Sequence, residues 1–147
     1  NRFINDYLYG VRLKAGQKII NKKGASNLMA EKVAGGAALG FIADQDAGQK
    51  GVFVDFFGRK AYTPNGPALL NLLTGVPIIP CFIVRKRFGH EILIGEPIKL
   101  ENSGDRDKDI TENTRRYTKV IEGYIRRFPS QWVWFHERWK QRPVPVV

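Results

Sequence analysis

Apolar side chains recur at helical spacing in RFINDYLYGVRLKAG, where Phe3, Tyr7, Leu8 and Val11 share a face and Gly16 suits a helix C-terminus. QKII (17–20) is a short strand candidate. ASNLMAEKVAGG then predicts a helix with Ser26 or Asn27 as N-cap and Gly35-Gly36 as its stop. AALGFIA (37–43) is a buried-strand candidate ending at polar DQD, and GVFVDFF (51–57) reads as another strand. Asp44 and Gln45 are thus expected just past a strand end. After the TPNGP turn, ALLNLLTG predicts a short helix closed by Gly75. VPIIPCFIVRK is the strongest strand in the chain, with Pro77 and Pro80 marking its start as an edge or bulge. HEILIGEPIKL (90–100) alternates and is expected to pair with it through the KRFG turn. Residues 110–128 predict the longest helix, with Ile110, Tyr117, Val120, Ile121, Tyr124, Ile125 and Phe128 on one face.

Strands alternating with helices, followed by a hairpin and a long helix, predict an α/β fold: a three-layer domain with a mixed, mostly parallel sheet. In such sheets ligands bind beyond the carboxyl ends of strands, which is where Asp44 and Gln45 fall. At 147 residues the chain fits a single domain, 1–147, with enough apolar content to bury a core.

The net charge of +10 changes the picture from fold to partner. Residues 1–74 carry 10 basic and 5 acidic side chains and residues 75–147 carry 14 and 9, so the excess is spread along the chain. A broad positive field favours polyanions: nucleic acid, an anionic lipid headgroup or an acidic carrier protein. No apolar run approaches transmembrane length. Cys81 is the only cysteine, which excludes an internal disulfide and a Cys-rich metal cluster, and its apolar setting reads as a buried small hydrophobe. No metal site and no cofactor are expected.

Candidate chemistry is sparse. GGAALG lacks the Lys-Ser/Thr of a P-loop and the spacing of a dinucleotide fingerprint. Neither His90 nor His136 has an acid five positions on, Gly95 and Gln141 standing there, so both read as surface or packing histidines. In DFFGRKAYTPNG, Gly58 would let a ligand approach the backbone beside Arg59 and Lys60, as anion-binding loops need; the plain alternative is a strand running into a charged turn. FPSQWVWFHERWKQRP mixes Trp132, Trp134 and Trp139 with Arg138 and Lys140. That composition suits a membrane interface or single-stranded nucleic acid, or simply packs the terminal segment onto the domain.

These same segments carry a resemblance. Asp44-Gln45, Phe56-Phe57-Gly58 with Ala61 and Thr63, Thr74-Gly75-Val76-Pro77 to Pro80, and the ending from Gln131-Trp132 to Arg142-Pro143 resemble the C-terminal two-thirds of the bacterial lipid A biosynthesis (lauroyl/myristoyl) acyltransferases. The resemblance implies a fold of the glycerol-phosphate acyltransferase type. It also implies transfer of a fatty acyl chain from acyl-acyl carrier protein, or another acyl thioester, to a hydroxyl of a lipid A precursor or similar anionic glycolipid. The place would be the cytoplasmic face of the bacterial inner membrane, with the protein peripheral or anchored by a segment before Asn1. The family's His-x4-Asp/Glu pair is absent from this sequence, and the resemblance puts it, and so the general base, upstream of Asn1; the chain is expected to be an N-terminally truncated piece, inactive by itself. Arg12 would bind phosphate or steady charge on the thioester oxygen, and Asp44 and Gln45 would position the acceptor or hold a basic group. Phe56, Phe57, Gly58, Arg59 and Lys60 would line the acyl or headgroup pocket. The alternatives are an acyltransferase for another phospholipid or glycolipid, and a basic α/β nucleic-acid-binding module; the latter lacks any recognisable RNA-binding signature, and no nucleic acid is expected.

Overall fold

In the computed structural model, which describes residues 1–20 and 25–140, the chain divides into two units, Asn1–Ala38 and Leu39–Val147. In the first, helix α1 spans Arg2–Lys14 and α2 spans Ser26–Ala34. Asn1 caps α1 by accepting from the Phe3 N–H at 3.0 Å, and Gly16, at φ +77°, takes the left-handed conformation that ends it. The N-cap of α2 is Ala25, with no side-chain bond, rather than Ser26 or Asn27. Phe3, Tyr7 and Val11 are exposed along α1.

The second unit begins with a 3-10 turn at Gly48–Lys50. Strands β1 (Val52–Phe56) and β2 (Arg59–Thr63) follow, then α3 (Gly66–Thr74), β3 (Cys81–Arg85), β4 (His90–Ile94) and α4 (Arg106–Arg127). Among the described residues the strands form two antiparallel pairs, β1 with β2 and β3 with β4. The mixed, mostly parallel sheet is therefore not what these residues build. QKII and residues 37–43 form no strand, and Val76 to Pro80 lie ahead of β3 rather than in it. A short apolar run bounded by glycines carries no period that separates strand from extended loop, and Pro77 and Pro80 lack the N–H a ladder needs. The Arg142–Pro143 end of the resemblance lies outside the described residues.

The β3–β4 hairpin forms as its alternation predicts, with Cys81 opposite Ile94 and Arg85 opposite His90. One face carries Cys81, Ile83, Ile92 and Ile94, and all four are exposed. Cys81 is thus a surface residue rather than a core one, because the strand period sends it to the uncovered side. From the other face Phe82 stacks on Tyr124 of α4, ring centroids 3.7 Å apart.

Helix α4 packs against β1 and α3. Asp105 caps it, accepting from the Lys108 N–H at 3.1 Å, and Arg126 and Arg127 complement the dipole in its last turn. Ile110, Tyr117 and Ile125 of the predicted face are buried, yet so are Asn113, Thr114, Thr118 and Glu122. These polar groups are paired: Asn113 bonds both the N–H and the C=O of Glu101, at 2.7 and 2.9 Å, and Thr118 donates to the Thr114 carbonyl at 2.7 Å. Tyr117 donates to the Pro64 carbonyl, and burial pushes its phenol well above the usual range.

Acid should loosen this helix. Glu112 lies 2.6 Å from Arg115 and 3.0 Å from Arg116. Hydrogen bonds from Arg115 first and Arg116 second bring its carboxyl from 4.5 down to about 2. A depressed carboxyl contributes stability above its unfolded-state value and loses it as the pH falls through the folded one. Denaturant midpoints are therefore expected to fall between pH 4.5 and about 2, and Glu112→Gln should make that fall shallower. An acid profile for the variant that overlays the parent's would contradict the assignment.

Candidate functional site

The β1–β2 hairpin turns through only two residues, Phe57 and Gly58, with φ of +54° and +76°. Positive φ at both central positions is the geometry that matches strand twist, and it is what Gly58 is needed for. For Phe57 the same geometry costs about 1–3 kcal/mol. Buried Glu122 offsets that cost by accepting from the Phe57 N–H at 3.0 Å. The plain reading of DFFGRK, a strand running into a charged turn, holds for the strand only: the turn is Phe57-Gly58, and Arg59 and Lys60 open β2, paired with Phe56 and Asp55. Lys60 pairs with Asp55 at 3.0 Å, both half exposed, while the Arg59 guanidinium lies 5.5 Å from the centre of the Trp139 ring.

Beneath the turn, Phe56 is fully buried and centres an aromatic cluster. Its ring lies 4.8 Å from Phe57, 5.6 Å from Trp132 and 5.5 Å from Trp139, and the Arg138 guanidinium sits 4.8 Å from its centre. Enclosed in this way, Phe56 supports the surface rather than lining a pocket. Phe57 is half-buried, with Arg126 4.8 Å from its ring centre.

The C-terminal segment closes over the hairpin and reaches the Asp44 loop. The Trp132 indole N–H donates to Asp44 Oδ2 at 2.9 Å. Two residues on, the Asp46 N–H donates to His136 Nε2 at 3.0 Å, so the neutral ring carries its proton on Nδ1. Asp46 Oδ1 in turn accepts from the Gly48 N–H at 3.1 Å. Arg138, 1 % exposed, donates to the Tyr62 carbonyl and to Thr63 Oγ1, each at 2.6 Å. Burial pushes its guanidinium down, opposed by the nearby Asp46 and Asp44 charges. Among the described residues, Arg138 Nε and Trp139 Nε1 have no hydrogen-bond partner.

This placement sorts the sequence-predicted residues. Asp44 and Gln45 stand side by side, with Asp44 half-buried and fixed through one oxygen, and Gln45 exposed. Trp132, Trp139 and Arg138 face the interior, whereas Trp134 is 52 % exposed and its neighbour Phe135 90 %. Lys140 is exposed and pairs with Glu137 at 3.0 Å. Arg12 lies in the last turn of α1, in the first unit. His136 Nε2 is engaged by Asp46, which leaves that atom unable to take a proton from a substrate hydroxyl. His136, Asp46, Thr63 and Glu122 were not among the predicted site residues. The sequence signal for His136 is the density of Trp, His and Arg between 132 and 140, and Thr63 belongs to a block that carries the resemblance; Asp46 and Glu122 carry no such signal.

Comparison with known proteins places the chain. The family described as bacterial lipid A biosynthesis acyltransferase matches residues 1–141. A lipid A biosynthesis palmitoleoyltransferase of Escherichia coli (strain K12) is 34% identical over 113 residues, covering 74% of this chain and 35% of that protein. A lipid A biosynthesis lauroyltransferase of the same organism is 28% identical over 140 residues, 92% of this chain and 44% of that protein. A phosphatidylinositol mannoside acyltransferase of Mycolicibacterium smegmatis (strain ATCC 700084 / mc(2)155) is 27% identical over 114 residues, 76% and 35% respectively. The chain thus spans less than half the length of these relatives, and across nearly all of its own length it belongs to the bacterial lipid A biosynthesis acyltransferase family.

Proposed function

We propose that the whole protein transfers a fatty acyl chain from acyl-acyl carrier protein, or another acyl thioester, to a hydroxyl of a lipid A precursor or similar anionic glycolipid. The family match over residues 1–141 carries this reading. A general base of the whole protein takes the hydroxyl proton, and the oxygen attacks the thioester carbonyl. An ester C–O bond forms, the C–S bond breaks, and the thiolate leaves to be protonated. Asp44 and Gln45 position the acceptor or hold a basic group beside it. Arg12 binds phosphate or steadies the charge developing on the thioester oxygen, and Arg59 and Lys60 line the acyl or headgroup pocket. The net charge of +10 supports polyanionic partners on both sides of the reaction, the carrier protein and the glycolipid.

On this reading the protein works at the cytoplasmic face of the bacterial inner membrane, where exposed Trp134 and Phe135 meet the lipid surface. The similarity to a phosphatidylinositol mannoside acyltransferase keeps a second acceptor class open. The test is acceptor-dependent release of carrier-protein thiol from acyl-acyl carrier protein by the whole protein. A lipid A precursor should raise the rate well above thioester hydrolysis. A rise with phosphatidylinositol mannoside alone would move the acceptor, and no rise with either, alongside steeply salt-dependent oligonucleotide binding, would favour a nucleic-acid module.

A further inference from the structure

Resting on that reading, we infer that Trp132 and His136 are positioning residues of the acyl-transfer site, which act through the Asp44–Asp46 loop rather than on substrate or membrane. The segment that bears them is fixed at both ends. At one end Gln131 bonds the β3 backbone in both directions, accepting from the Arg85 N–H at 2.7 Å and donating to its carbonyl at 3.2 Å. At the other, Arg138 is bonded into β2 through the Tyr62 carbonyl and Thr63 Oγ1. Between these anchors the segment makes its two polar contacts with the loop, Trp132 on the Asp44 carboxylate and His136 on the Asp46 backbone.

The contacts have the form a positioning role requires. The Trp132 ring packs on Phe56 and stands edge-on to Trp134, at 4.7 Å and 89°, so packing fixes the direction of its N–H. That N–H takes up Oδ2 and leaves Oδ1 of Asp44 unpaired among the described residues. One oxygen is held while the other is free to accept from substrate or from a basic group. His136 restrains the loop at Asp46, and Gln45 between the two restraints is exposed and makes no side-chain bond among the described residues. Neither Trp132 Nε1 nor His136 Nε2 is left for a ligand, because each is spent on the loop.

The experiment is steady-state acyl transfer by the whole protein carrying Trp132→Phe, which keeps the ring and removes the donor. The expected result is a fall in kcat of about tenfold, the worth of one hydrogen bond to a charged group, with KM for the acyl thioester unchanged. His136→Phe should lower kcat likewise. His136→Gln, which restores an acceptor near the Nε2 position, should recover most of the loss. Because Trp132 acts through Asp44, the double variant Asp44→Ala with Trp132→Phe should be no slower than Asp44→Ala alone. A parental rate for Trp132→Phe, multiplying losses in the double variant, or equal losses for His136→Gln and His136→Phe would overturn the inference while leaving the acyltransferase reading in place. A parent protein that transfers no acyl group would overturn that reading first, and the inference with it.

Discussion

Asp44→Ala in the whole protein is expected to lower acyl-transfer kcat by about 100-fold, the scale on which misplacing a reacting group acts. Among the described residues, Asp44 supplies the carboxylate of the 44–46 loop that accepts a long-range bond, fixed by Trp132 through Oδ2 with Oδ1 unpaired. Removing it takes away both the charge and the orientation. Asp44→Asn keeps an oxygen for the Trp132 N–H and loses only the charge, so its rate should fall between the two. The folding cost should stay small, about 1 kcal/mol for an indole donor left without its acceptor. A 100-fold rate loss with a nearly parental unfolding midpoint would therefore mark a functional group. Equal rates for Asp44→Ala and the parent would show that the carboxylate belongs to the scaffold alone.

Phe56→Ala should instead act on stability, costing about 3–5 kcal/mol, as truncation of a fully enclosed aromatic side chain does. The reason is local. Phe56 touches Phe57, Trp132 and Trp139 and lies under the Arg138 guanidinium, so its loss opens a cavity where β1, the turn and the C-terminal segment meet. Urea unfolding followed by tryptophan fluorescence reads this directly, because two of the three tryptophans line that cavity. Phe56→Leu, which refills most of the volume, should cost no more than about 1.5 kcal/mol. Similar midpoints for Phe56→Ala and the parent would mean that the terminal segment is not held by this cluster.

What could be read in advance was what repeats along the chain. The periods of α1 and α4 and the alternation around KRFG gave elements found close to where they were expected. The β1–β2 hairpin was hidden because its turn is Phe57-Gly58, without the Asn-Gly or Asp-Gly that marks such turns, and Phe57 adopts its positive φ beside a Glu122 acceptor 65 residues away. Residues 37–43 looked like a buried strand on apolarity alone and have no strand partner among the described residues. Cys81 was misplaced for a similar reason: apolar neighbours say nothing about which strand face is covered.

The site shows the same division. Asp44 and Gln45 were legible as candidates from the block they resemble, as were the basic residues after Gly58. The assignments of Trp132, His136 and Arg138 were not, since their partners lie 88, 90 and 76 residues earlier and no local pattern encodes such contacts. A tryptophan-rich basic segment looked like a membrane contact, and folding divides it. Trp132, Trp139 and Arg138 turn inward to hold the hairpin and the Asp44 loop, and Trp134 and Phe135 stay outside.

The most direct test of the account is the mass of the glycolipid product after the whole protein has been incubated with acyl-acyl carrier protein and a lipid A precursor. One added acyl group in ester linkage, formed by the parent and nearly lost in Asp44→Ala, is the predicted result. An unchanged glycolipid mass with the parent protein, under conditions where the donor is intact and the acceptor is in excess, would contradict it.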